Sequence, residues 1–91
     1  MVRAASSGTI IFAGAEPKRF GNLVVIDHGN GWQSRYGHLA RVTVKVGDPI
    51  KTGERVGIAG QSGVATRPEL HFDIRRDGRP VDPTRRLRLN R

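Results

Sequence analysis

One stretch toward the end of the chain shows the clearest pattern: Arg67-Pro68-Glu69-Leu70-His71-Phe72-Asp73-Ile74-Arg75. From residue 69 onward polar and apolar side chains alternate, which is the period of a β-strand with one face in a core. The predicted buried face consists of Leu70, Phe72 and Ile74. The opposite face consists of Glu69, His71, Asp73 and Arg75. This row of charged and polar groups is suited to charge-assisted hydrogen bonds with a peptide or a helix.

Short apolar runs bounded by glycine or by turn residues predict several more strands. Together with residues 70–75, the predicted strands are residues 8–14, 22–27, 32–38, 42–46 and 56–59. The segment His28-Gly29-Asn30-Gly31 tolerates positive φ, so the strands on either side of it should pair as a hairpin. No run of ten or more residues has a helical period, although residues 83–87 could form one helical turn. We therefore predict an antiparallel, all-β domain.

The composition limits the class of protein. Ninety-one residues allow one small domain with a thin core. A formal net charge of +8 favours anionic partners, and the few aromatic residues show no base-stacking pattern, so we expect no nucleic-acid partner. The absence of cysteine excludes a disulfide framework and a Cys-based zinc site. No stretch reaches the ~20 apolar residues of a membrane span.

Several motifs together resemble one known family. They are Asp27-His28-Gly29-Asn30-Gly31, Tyr36-Gly37-His38-Leu39, Val46-Gly47-Asp48, Gly60-Gln61-Ser62-Gly63 and Leu70-His71-Phe72. The chain is similar to the LytM or lysostaphin-like zinc metallopeptidase domain, in which one strand ends in His-x-His and an earlier strand carries Tyr-Ala-His-Leu. The resemblance implies a small antiparallel sheet or half-open barrel over residues 1–83, without the N-terminal strands of the full domain. Residues 84–91 would form a basic C-terminal tail.

The same resemblance implies that the zinc chemistry of the family is lost. In the family, the zinc ligands come from an upstream His-x-x-x-Asp and from the second His of His-x-His. The upstream motif has no counterpart in this chain. That second His aligns with His71, the only retained ligand position, while the first falls on Glu69. An ionised Glu69 only accepts hydrogen bonds and would oppose the negative charge that develops on a scissile amide. We expect no catalytic residues, no bound metal and no cofactor.

A degenerate branch of this family, the EnvC and NlpD type of divisome LytM factor, shows the same changes. Its members lack a working zinc site and activate peptidoglycan N-acetylmuramoyl-L-alanine amidases, whose regulatory helix binds in the old substrate groove. The resemblance implies a contact surface formed by Tyr36, His38, Arg67, Glu69, His71 and Arg75. Arg75 should make the strongest single contact, because a guanidinium binds carboxylates with two parallel hydrogen bonds. The expected partners are the amidase and peptidoglycan, on the periplasmic side of a bacterial cell envelope.

Other interpretations remain open at this point. The chain could be part of a zinc endopeptidase whose missing ligands and secretion signal lie upstream, or a peptidoglycan-binding module with no activating role. Tyr36 and Trp32 could be packing residues, and His28, which precedes a turn, is best explained as structural. A biotinyl or lipoyl hairpin barrel is disfavoured because no modifiable lysine lies at a hairpin tip. If the N-terminal strands are missing, an unpaired strand edge could bind a second copy of the chain.

Overall fold

The computed structural model describes residues 1–18, 20–60 and 70–81. In these ranges the chain forms β-strands and no helix, so no described segment is a helix that could cross a membrane. The strands are β1 (Val2–Arg3), β2 (Gly8–Glu16), β3 (Gly21–Gly29), β4 (Trp32–Val42), β5 (Pro49–Ile50), β6 (Arg55–Ala59), β7 (His71–Arg76) and β8 (Arg79–Val81). The predicted all-β class is confirmed.

All eight strands belong to one antiparallel sheet that curls into a half-barrel. The strand order is β1-β6-β4-β3-β2-β5, with β7 beside β4 and β8 beside β7. The long strand β4 organises this arrangement. It pairs with β3 along one edge, while its other edge is shared, since residues 32–37 pair with β7 and residues 39–42 with β6.

The main core lies on one face of the sheet, which we call the core face. Its buried side chains are Val2, Ala4, Ile10, Val24, Ile26, Tyr36, Leu39, Ile50 and Val56. A smaller buried cluster of Phe20, Leu23 and Val25 lies against the opposite face. Burying such side chains stabilises the fold by roughly 1.5–3 kcal/mol each. As a result, β3 is covered on both faces, because residues 23–26 are all buried.

The structure has the predicted turn between β3 and β4 but differs from the prediction in the segment after β4. Between β3 and β4, Asn30 has a φ of 53° and Gly31 a φ of 83°, as the predicted hairpin requires. The predicted strand over residues 42–46 is wrong beyond Val42, which ends β4. There the Lys45 N–H donates to Asp48 Oδ2 at 2.9 Å and the Asp48 N–H donates to the Lys45 carbonyl at 3.1 Å. These bonds close a turn that competes with strand pairing.

A series of hydrogen bonds ties the amino-terminal segment to β4. The Ala5 N–H donates to the Tyr36 hydroxyl at 3.0 Å, which lies 2.8 Å from Ser34 Oγ. Ser34 Oγ lies 2.7 Å from His28 Nε2, and His28 Nδ1 lies 2.6 Å from the Ser7 carbonyl. Because that carbonyl only accepts, Nδ1 donates, and a neutral His28 accepts from Ser34 at Nε2. Every hydrogen in the series then has an acceptor, which supports the structural role expected of His28.

Candidate functional site

A β-bulge in β4 determines where His38 points. Val24 pairs with Tyr36 and Asn22 with Leu39, so β4 has one more residue than β3 in this interval. His38 occupies the extra space with a φ of 58°, in the left-handed region. In a regular strand His38 and Tyr36 would share a face. The bulge instead turns the His38 ring toward His71, with ring centroids 5.8 Å apart and an edge-on arrangement.

Strand β7 presents three polar side chains in a row on the same face. His71 Nε2 lies 3.0 Å from Asp73 Oδ2, and Arg75 Nε lies 3.5 Å from Asp73 Oδ1. An ionised carboxylate only accepts, so His71 Nε2 carries the hydrogen of this contact. The predicted alternation of β7 holds for Phe72 and Ile74, which pair with Tyr36 and Ser34 on the core face and are half-buried. The prediction that Leu70 is buried is wrong, because Leu70 precedes the strand and is 41% exposed.

An aromatic ring and a second guanidinium complete this face. The Phe20 ring lies 4.9 Å from the His71 ring, and Arg35 Cζ lies 5.1 Å from the centroid of the Phe20 ring. Buried Leu23 and Val25 form the apolar floor beside them. We call this surface the groove face. It consists of Phe20, Arg35, His38, His71, Asp73 and Arg75 over that floor.

The structure brings together His38, His71 and Arg75 of the expected contact surface. His38 is itself buried there, with 6% of the residue exposed, whereas His71 and Arg75 are half-buried. Tyr36 is a correction. Its side chain is only 1% exposed and lies on the core face, because the bulge separates its direction from that of His38. Arg67 and Glu69 lie outside the described residues, as do the turn at 61–63 and the tail at 84–91. Partner binding by the groove face stays a prediction.

Sequence reasoning missed Phe20 and Arg35. Both belong to the groove face through pairing that local patterns do not reveal. Phe20 precedes β3 and accepts a hydrogen bond at its carbonyl from the His38 N–H, at 2.7 Å. Arg35 stands directly opposite Asp73 in the β4–β7 register. The available signal was the position of Arg35 between Ser34 and Tyr36, which puts it on the opposite face of an alternating strand. Its place beside Asp73 could be inferred only once the register between β4 and β7 was known.

The described residues do not fit a catalytic zinc site. In residues 1–18, 20–60 and 70–81, no three His, Cys, Asp or Glu side chains are grouped so that they could hold a metal. His38 and His71 provide two imidazoles, whereas a catalytic zinc takes three protein ligands. This part of the chain supplies a charged hydrogen-bonding surface.

Comparison with known proteins identifies the family. The sequence pattern described as "Peptidase family M23" matches residues 1–83. The chain belongs to peptidase family M23. The resemblance to the LytM or lysostaphin-like domain is thereby confirmed.

The M23 chain is similar to curated proteins of different kinds. It is 43% identical to the "Lipoprotein NlpD/LppB homolog" of Pseudomonas aeruginosa over 94% of its own length, and 39% identical to the "Cell division protein DipM" of Caulobacter vibrioides over 90%. It is 38% identical over 89% of its length to the "Peptidoglycan DD-endopeptidase ShyA" of Vibrio cholerae. The M23 chain covers 29%, 14% and 19% of these three relatives, respectively.

Solved structures share the fold of this M23 chain. The catalytic domain of lysostaphin from Staphylococcus simulans superposes with a TM-score of 0.86 at 35% identity, covering 96% of this chain and 69% of that one. A zinc-containing peptidase from Vibrio cholerae superposes with a TM-score of 0.80 at 38% identity, covering 85% of this chain and 24% of that one. The half-barrel is therefore the fold of active M23 peptidases.

Proposed function

We propose that this M23 domain is a non-catalytic regulator that binds and activates a peptidoglycan N-acetylmuramoyl-L-alanine amidase during cell-wall remodelling and division. The observation that carries the proposal is the row His71, Asp73 and Arg75 on β7. In this row His71, at the retained ligand position, donates a hydrogen bond to the Asp73 carboxylate, and the Arg75 guanidinium lies next along the strand. Glu69, at the first position of the family's His-x-His, agrees with lost metal chemistry.

Two relatives support this class of function. One is named as a lipoprotein of the NlpD/LppB type and the other as a cell division protein. Proteins with such names suit a location in the bacterial cell envelope, and we place this domain on the periplasmic side. The net charge of +8 suits contact with the carboxylates of peptidoglycan and with an acidic protein surface.

Binding to the groove face has a clear physical basis. Arg75 is partly accessible, with 26% of its side chain exposed, and a guanidinium offers several donors in a fixed plane. Leu23 and Val25 are already buried and support the Phe20 ring, so the half-buried Arg35, His71 and Arg75 are the groups left for a partner to contact. Interfaces of this kind concentrate their binding energy in a few anchors, with arginine among the most frequent. Arg75 is the anchor that we assign here.

The test is dye release from labelled peptidoglycan by the domain alone, by a candidate amidase alone and by the two together. Stimulation confined to the mixture, and unchanged by prior treatment of the domain with a zinc chelator, is the expected result. Arg75→Ala should lower stimulation by about tenfold or more, since loss of a buried charged contact costs about 2–5 kcal/mol. Arg79→Ala, at an exposed position on β8, is the matched control and should stimulate normally.

Two outcomes would contradict the proposal. If the mixture releases no more dye than the amidase alone for each amidase of the source organism, the regulator role is wrong. If Arg75→Ala stimulates as well as Arg79→Ala, the groove face is not the activating surface. Thermal unfolding of each variant shows whether a loss of stimulation reflects a loss of fold.

A peptidoglycan endopeptidase is the second candidate, because ShyA and the "DD-carboxypeptidase/endopeptidase Mpg" of Neisseria, 39% identical over 90% of this chain, carry such names. This function requires metal ligands from outside the described residues. Dye release by the domain alone that a chelator abolishes would establish it.

A further inference from the structure

Among the described residues, Arg35 is ordered on the groove face by an aromatic ring and not by an ion pair. Its guanidinium lies over the Phe20 ring at 5.1 Å, a cation–π contact that limits the freedom of a long side chain. Phe20 is 7% exposed and is fixed in turn by the buried cluster with Leu23 and Val25. A stacked guanidinium keeps its hydrogen-bond donors at the edge of its plane, where a ligand can reach them.

Asp73 lies between two arginines. It stands directly opposite Arg35 in the β4–β7 register and two residues before Arg75 on the same face. Side chains directly opposite on antiparallel strands have Cβ atoms about 4.5–5.5 Å apart, and diagonal neighbours remain within reach of long side chains. In this row of described residues two guanidiniums lie beside one carboxylate, which leaves an excess of one positive charge among the three side chains.

The ion pair between Asp73 and Arg75 is poorly made. Arg75 Nε and Asp73 Oδ1 are 3.5 Å apart, and each is buried without a hydrogen-bond partner. A buried polar atom left without a partner costs about 1–3 kcal/mol, so this geometry binds the Arg75 guanidinium only weakly to Asp73. The other acids on this face are used locally, since Asp27 accepts from the Gly29 N–H and Glu16 from the Lys18 and Phe20 N–H groups.

We propose that Arg35 and Arg75 form a two-guanidinium clamp for a carboxylate side chain of the protein partner, and that Arg35 is the residue that makes the groove face selective for an acidic segment. The inference rests on the proposed binding of a protein partner at this face and names the chemistry of that partner. The carboxylate accepts from both guanidiniums. Asp73 is an internal competitor for the partner's carboxylate, because its negative charge lies beside the same arginines.

The test uses two labelled helical peptides that differ only in charge, (Glu-Ala-Ala-Ala-Ala)₃ and (Gln-Ala-Ala-Ala-Ala)₃, with binding to the 91-residue chain followed by fluorescence anisotropy. The glutamate peptide should bind about tenfold more tightly, which corresponds to about 1.4 kcal/mol. Arg35→Gln and Arg75→Gln should each remove most of that difference. Arg76→Gln is the matched control, because Arg76 also stacks on an aromatic ring, Trp32 at 5.0 Å, but points to the other face.

A gain of binding separates the clamp from simple damage to the fold. Asp73→Asn removes the competing charge while keeping the shape of the side chain, so it should tighten binding of the glutamate peptide several-fold. A misfolded variant would not bind more tightly. The clamp is overturned if the two peptides bind alike, if Arg76→Gln weakens binding as much as Arg35→Gln, or if Asp73→Asn leaves the affinity unchanged or weaker.

The same variants distinguish this inference from the proposed function. If the wild-type domain stimulates an amidase and Arg35→Gln does so equally well, the clamp is wrong and the regulator role stands. If acid-selective peptide binding is found but no amidase is stimulated, the clamp stands and the regulator role is wrong. Co-sedimentation with purified peptidoglycan covers the remaining outcome. If Arg35→Gln weakens co-sedimentation but leaves peptide binding unchanged, the clamp binds cell-wall carboxylates, and the proposed protein partner is wrong.

Discussion

At the scale of single residues, His38 shows how one backbone angle decides to which face of the sheet a side chain points. Its φ of 58° places the His38 ring beside His71, whereas strand alternation would have placed it beside Tyr36 in the core. The motif of Tyr36 and His38 was visible in the sequence, but the bulge between them was not. The bulge was missed because it depends on the register with β3, which no local pattern encodes. The resulting error in the face assigned to a side chain concerned Tyr36 alone.

Substitution of His38 tests this role of the backbone. His38→Val should destabilise the domain more than His38→Asn, by roughly 1–2 kcal/mol, because a β-branched residue is strained at positive φ and asparagine tolerates it. Both variants lose the ring contact with His71. Burial of a polar amide at this 6% exposed position acts against the expected order, so a larger loss for valine would be due to the backbone. Urea unfolding of the two proteins gives the comparison, and equal midpoints with equal slopes would show that the left-handed conformation carries no strain.

At the scale of elements, β4 connects the groove face to the amino-terminal segment. Its groove-face residues contact β7, while Ser34 and Tyr36 on its core face hold residues 5 and 7 through the hydrogen-bond series that includes His28. The strand positions of β2, β3, β4, β6 and β7 were predicted to within a few residues, because glycine and alternation mark them. The failure at residues 43–46 arose because an Asp48 side chain closed a turn in an otherwise strand-like segment.

Removal of the Tyr36 hydroxyl should weaken the attachment of the amino-terminal segment. Tyr36→Phe keeps the packing against Phe72, whose ring lies 5.3 Å away, but leaves the Ala5 N–H without its acceptor. The expected loss of unfolding free energy is about 1–3 kcal/mol.

Ser34→Ala supplies the companion variant for a double-mutant cycle. Together with Tyr36→Phe it should cost less than the two single changes added, because both interrupt one series of hydrogen bonds. Full additivity would show that the series does not act as a unit.

At the scale of the whole molecule, the sheet has an exposed apolar edge. In the described residues, the part of β2 from Ile11 to Ala15 pairs only with β3, and Ile11 and Phe12 are 43% and 37% exposed. Strand propensity predicted β2 itself. Its position at an edge could not be predicted, because strand order depends on pairings as distant as Val2 with Gly57.

We expect this edge to pair two copies of the chain, as an unpaired strand edge favours. Light scattering during size-exclusion chromatography should show a mass that rises toward that of a dimer with protein concentration. Ala15→Lys places a charge on the edge and should keep the protein monomeric. Thr52→Lys places the same charge at an exposed turn away from this edge and should leave dimer formation unchanged. A monomeric mass of the wild-type protein at high concentration would contradict the expectation.

Because both faces of β3 are covered, its central amides should exchange with deuterium only when the whole sheet unfolds. In the part of the chain that the structure describes, strand β8 pairs with β7 alone and has no buried residue, so its amides should exchange through local fraying. The floor of the groove face should therefore exchange slowly, while β8, on the far side of β7, should exchange fast. A bound partner would add protection at β7, where His71, Asp73 and Arg75 lie, and leave the floor unchanged, so protection of β7 would report occupancy of the groove face directly.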